Sequence, residues 1–164
     1  MSNAGQEMAA RPPRSLTKGL LAGLAGGVAG TVAMTFAERM FPPRPEGEEE
    51  SEQPSEVLAE KIAGHELSPE MRELAGESIQ WGLGIAAGAV YGVLAEYYPA
   101  ATSKEGASFG IAMEALTHEK ALPALGLLGS TEDESIRERA SEMTSFVVFG
   151  IATELVRRFV RKHI

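Results

Sequence analysis

Five polar side chains set in otherwise apolar stretches carry the chemistry this chain has to offer: Glu38, Glu96, Glu114, His118 and Glu154. An acidic group on each of four helical segments resembles the donor set of a di-metal carboxylate bundle, which also needs a Glu-x-x-His pair on two helices. Here Glu114 and His118 stand four apart, and the pairing occurs once. In an up-down bundle Glu38 and Glu96 fall at opposite ends, so no metal and no cofactor is expected. A smaller set survives. Glu114 and His118 share one helix face a turn apart, and Glu154 stands at comparable depth on the last apolar segment. Carboxylates buried in an apolar medium mark proton or cation paths, which makes Glu114, His118 and Glu154 the candidate protonatable cluster. The plainer alternative is that these groups pair with Lys120, Arg137 or helix ends and only fix packing.

Other chemistries fall away. The chain has no cysteine, so it has no thiol nucleophile, thiolate metal site or disulfide framework. Its glycine-rich segments lack the Gly-Lys-Ser/Thr of a phosphate-binding loop, and Ser108, Ser141 and Ser145 lack a hydrolase elbow. No catalytic residue is assigned, and the chain is expected not to be an enzyme. A formal net charge of -8 repels phosphate backbones, and the basic residues sit at chain ends and short flanks, which argues against nucleic acid.

The elements that must position these groups are helical. Gly19 to Ala37 runs without a charge, and as a helix would extend about 28 Å, the thickness of a bilayer core. Gly23, Gly27 and Gly30 in this run, and Gly84, Gly88 and Gly92 at four-residue spacing in the uncharged run Ser78 to Ala95, let helices approach closely in lipid. Trp81 and Tyr97-Tyr98 bracket the second run as interfacial aromatics do. Between the runs, the turn motif Pro42, Pro43 and Arg44 opens an acidic loop over 42–78. Within it, apolar residues at helical spacing predict two short amphipathic helices, separated by Gly64 and Ser68-Pro69.

The third segment, 106–128, holds Glu114, His118, Glu119 and Lys120 ahead of Pro123. Each central charge costs about 2.5–3.5 kcal/mol on insertion, so this segment spans only with those groups turned to partner helices or water. The fourth, 143–160, ends in a basic cluster from Arg157 to His163. The expected fold is an all-α four-helix bundle of four transmembrane spans, at about 19–40, 79–98, 106–128 and 143–160. Residues 1–17 are expected to be a flexible N-terminal segment, followed by the single helical membrane domain 18–164. Arg11, Arg14 and Lys18, then Lys104, then the C-terminal cluster fall on one side of such a bundle, which predicts an N-in, C-in orientation in a bacterial-type inner membrane.

Four stretches together resemble the YagU-like inner-membrane proteins, a family of unknown function. They are the glycine-rich opening span with Glu38-x-x-x-Pro42-Pro43-Arg44, Gly88-Ala89-Val90-Tyr91-Gly92, His118 to Gly126, and Phe149 to Arg158. Two positions depart from the family pattern: Glu114 stands where an aromatic residue is usual, and Ser145 where a histidine is. The resemblance implies a small polytopic inner-membrane protein and brings no catalytic activity. The reading is therefore a non-enzymatic membrane protein with a packing, partner-binding or stress-related role. Its partners would be the lipid bilayer and a second copy of itself or another membrane protein. The alternatives are a proton- or cation-linked conduit or sensor built on the carboxylates and histidine, and a water-soluble all-α bundle.

Overall fold

The structure, a computed structural model, describes residues 14–42, 54–117, 124, 126 and 136–164. Within them run α1 (Leu16–Met40), α2 (Pro54–Ala63), α3 (Pro69–Tyr97), a 3-10 turn over Pro99–Gly106, α4 (Ala107–Leu116) and α5 (Ile136–His163). Ser15 begins α1 in an extended conformation, its hydroxyl accepting from the Lys18 amide, and α1 ends at Phe41, ahead of the proline pair. Ser68 and Pro69 open α3. The expectation of a second short amphipathic helix, separate from the following span, is corrected here, because α3 continues for 29 residues without a break. No proline stands between Pro69 and Pro99, and Gly76 serves as a contact: a Cβ there would press on Glu56 of α2.

The expectation of four spans is met only in part. Among the described residues two helices, Leu16–Met40 and Pro69–Tyr97, are long and apolar enough to cross a membrane. α4 is described for ten residues, and most of 118–128 lies outside the described residues. α5 has 28 residues but carries Glu154, Arg157 and Arg158 inside its apolar stretch.

Glycine sets the packing. α1 lies between α3 and α5 and antiparallel to both. Its Gly19, Gly23 and Gly27 meet Gly92, Gly88 and Gly84 of α3 backbone to backbone, while Gly26 and Gly30, on a second face, meet Thr153 and Phe149 of α5. α4 runs antiparallel along α5, with Gly110 against Phe146 and Gly106 against Gly150. Before α4 the backbone turns left-handed at Lys104 (φ 51°) and Glu105 (φ 54°) and continues so at Gly106 (φ 90°). Only Gly106 takes that conformation without strain, and a side chain there would also strike the Gly150 carbonyl.

The partition of side chains is inverted relative to a water-soluble core. The most enclosed large side chains are Tyr91, Glu154, Thr31, Thr153 and Ser145, whereas Phe36 (65 % exposed), Val32, Leu83 (61 %), Val90, Leu155 and Phe159 face outward.

α2 packs on the first part of α3, and its corner is held by one carboxylate. Glu60 Oε1 accepts from the Leu67 amide and from Arg72 Nε, both at 2.9 Å. The Leu67 hydrogen bond, with the neighbouring Arg72 charge, holds the Glu60 carboxyl below its ordinary range. A group lowered in the folded state contributes stability above its unfolded pKa, about 4.3, and loses it as pH falls through the folded value. The protection of the Leu67 amide, its exchange rate relative to the intrinsic rate at the same pH, is therefore expected to be high at neutral pH and to fall on acidification below that range. Glu60→Gln should show the lowered protection already at pH 7, and equal protection in both proteins at pH 7 would refute the assignment.

Candidate functional site

The start of α1, the end of α3 and the end of α5 meet at one end of the bundle, where polar groups cross-link them. Glu96 accepts from the Ser15 amide (3.1 Å) and from Arg161 through both Nε and Nη2. Lys18 Nζ donates to the Ile164 carbonyl. About two turns further in lies Glu154, fully enclosed. Its Oε2 accepts from Arg157 Nε (2.6 Å) and from the Tyr91 hydroxyl (2.9 Å). Its Oε1 accepts from Arg157 Nη2 (2.9 Å) and from Arg158 Nε. The Arg157 guanidinium sits 6.0 Å from the Tyr91 ring centre. Phe109 of α4 stacks on Tyr91 with centroids 4.2 Å apart and reaches Phe149 of α5 at 5.9 Å, so α4 closes the network by one aromatic wedge.

Helical spacing explains the assembly. Residues three and four apart share a face, so Glu154, Arg157 and Arg158 meet on α5 itself. Tyr91 is brought by α3, which runs parallel to α5 because both are antiparallel to α1. A Cβ at Gly106 would strike that of Glu154, so the glycine there lets α4 press against it. One buried carboxylate with four donors is a closed ion pair, which orders three helices more than it offers a free acid. Next to it, the fully enclosed Thr153 hydroxyl has no hydrogen-bond partner among the described residues.

The residues singled out by sequence are placed as follows. Glu154 is in this network, with Arg157, Arg158 and Tyr91 as its partners among the described residues, while Lys120 lies outside them. Glu114 lies eight residues beyond Gly106 on α4, about 12 Å further toward the opposite end. The structure therefore does not bring Glu114 and Glu154 together. His118 lies outside the described residues, as do Pro43 and Arg44, while Pro42 is exposed just past α1. Gly23, Gly27, Gly84, Gly88 and Gly92 line the α1–α3 contact and Gly30 the α1–α5 contact. At the far end, the Glu38 side chain hydrogen-bonds Gln80 and faces the charge of Glu142, and the Ser141 hydroxyl donates to the Phe41 carbonyl. Sequence reasoning missed Tyr91 and the inward role of Arg157. The Glu154-x-x-Arg157-Arg158 spacing was the available signal, obscured because a basic run after an apolar segment also reads as a stop signal.

No curated protein and no solved structure matches the chain. A family model described as protein of unknown function (DUF1440) matches residues 28–155, from the middle of α1 through α3 and α4 to just beyond Glu154. Covering more than half of the chain and including Gly30, the glycine row of α3, Tyr91 and Glu154, that match establishes that the chain belongs to this family of unknown function.

Proposed function

We propose that this is a small polytopic inner-membrane protein of the YagU-like kind, with the Ser15 and Ile164 ends of the bundle on the cytoplasmic side, and that it acts by packing or partner binding without catalysing a reaction. The inverted partition carries the reading. Leu, Val and Phe face outward along α1, α3 and α5, while hydroxyls and an ion pair are enclosed. In water such a surface would aggregate, whereas in a bilayer it faces acyl chains and the Glu154 carboxylate is satisfied by the enclosed donors around it. Backbone contact between glycine rows supports it too, because close van der Waals packing drives helix association where no hydrophobic effect acts. We assign the third and fourth crossings to 106–128 and 143–160. An even number of crossings accords with the meeting of the start of α1 and the end of α5. The basic residues of that end, Lys18, Lys104, Arg158, Arg161 and Lys162, favour the cytoplasmic face.

The first experiment is carbonate washing of bacterial membranes that carry the untagged protein, followed by detergent extraction. Retention through carbonate and release only by detergent are expected. Release by carbonate as a folded helical monomer would overturn the proposal in favour of a soluble bundle.

A further inference from the structure

The cations at the basic end are used unequally. Arg157 and Arg161 each spend two nitrogens on a carboxylate, and Lys18 binds the Ile164 carbonyl. Arg158 engages Glu154 through Nε alone, and its side chain remains 46 % exposed. Its terminal nitrogens, and the side-chain nitrogens of Lys162 and Lys104, hold no ion-pair or hydrogen-bond partner among the described residues. Lys162 follows Arg158 by one helical turn on the same face. The 3-10 turn before α4, with Lys104 exposed in it, packs on α5, and Gly106 at its end lies against Gly150 and Glu154. Lys104 is held there by the left-handed backbone at φ 51°, with Glu105 as the only carboxylate of that turn. Because Glu154 is shared by two arginines, this end keeps a surplus of positive charge, carried by a guanidinium fork on α5, an ammonium group one turn further along α5 and another on the turn packed against it.

We propose that Arg158, Lys162 and Lys104 form a binding site for a phosphate group, and that the phosphate is the headgroup of an anionic phospholipid. The second half rests on the membrane reading above, since it places this end of the bundle at the headgroup level. Arg158 joins the site to the interior. Its Nε fixes the fork on Glu154 while the free edge faces the phosphate, so lipid binding and the helix-locking ion pair share one side chain.

The test is native mass spectrometry of the full chain in dodecyl maltoside, offered equimolar dioleoyl phosphatidylglycerol and dioleoyl phosphatidylcholine, with and without inorganic phosphate. Phosphatidylglycerol should be retained over phosphatidylcholine by about tenfold. The preference should be lost in Lys104→Gln/Arg158→Gln/Lys162→Gln and kept in Arg137→Gln/Arg139→Gln at the opposite end. All these positions are exposed, and Glu154 keeps its two Arg157 nitrogens and the Tyr91 hydroxyl when Arg158 is replaced, so unchanged helical circular dichroism is expected of both variants. Equal retention of the two lipids in the unaltered protein overturns the site. Displacement of phosphatidylglycerol by inorganic phosphate at comparable concentration overturns the lipid as its source. Carbonate fractionation is read separately: a carbonate-released protein that binds inorganic phosphate through these residues fails the membrane reading and the lipid assignment, but not the phosphate site.

Discussion

Gly88→Ala is expected to destabilise the bundle by about 1–3 kcal/mol, while Gly82→Ala in the same helix leaves it unchanged or stabilises it by up to about 1 kcal/mol. The two substitutions add the same methyl group to the same helix. At Gly82 nothing lies within 4 Å of the new atom, so the gain in helix propensity stands alone. At Gly88 it would overlap the Gly27 Cα, the Gly27 amide and the Gly23 carbonyl, all of them backbone. Backbone cannot swing aside as a side chain does, so α3 would have to move away from α1 and the contacts at Gly84 and Gly92 would loosen with it. Thermal unfolding in detergent, followed by the near-ultraviolet circular dichroism of Trp81 and the tyrosines, reads both variants. Equal midpoints for the two would show that α1 and α3 are not in backbone contact.

Much of this architecture is legible in the residues, for specific reasons. Four-residue glycine spacing on α3 declares a contact face because Gly84, Gly88 and Gly92 stack along one side of a helix. The five glycines of α1 are less informative. They divide between two faces, Gly19, Gly23 and Gly27 toward α3 and Gly26 and Gly30 toward α5, and a linear pattern does not assign faces to partners. The continuity of α3 was hidden by a change in composition, since Glu70, Glu73 and Glu77 precede an uncharged run and suggest two elements. Charge sets what surrounds a helix, whereas hydrogen bonding and the absence of proline set where it ends. The polar site was half legible. Glu154 is conspicuous in an apolar segment, but its pairing with Tyr91 depends on the parallel register of α3 and α5, which follows from tertiary packing alone.

Glu154→Gln is expected to cost about 3–5 kcal/mol of stability, the largest effect of any isosteric change in the bundle. The amide keeps the volume of the carboxylate but not its charge, and its NH2 group faces guanidinium donors. Arg157, 8 % exposed, would be left as an enclosed cation without its paired carboxylate, retaining the Gln carbonyl, the more distant charge of Glu96 and the Tyr91 ring at 6.0 Å. If the network is an ion-pair lock, removing both charges should be milder than removing one, so Glu154→Gln/Arg157→Gln should recover part of the loss. A proton relay predicts the reverse pattern. In liposomes, Glu154→Gln and Glu114→Gln would each change proton flux, and the double variant would restore nothing. The four donors on Glu154 and the two-turn offset of Glu114 favour the lock. The expected outcome is a lowered midpoint for Glu154→Gln, partial recovery in the double variant and unaltered flux throughout. Altered flux with an unchanged midpoint would reverse that assignment and make Glu154 a working acid.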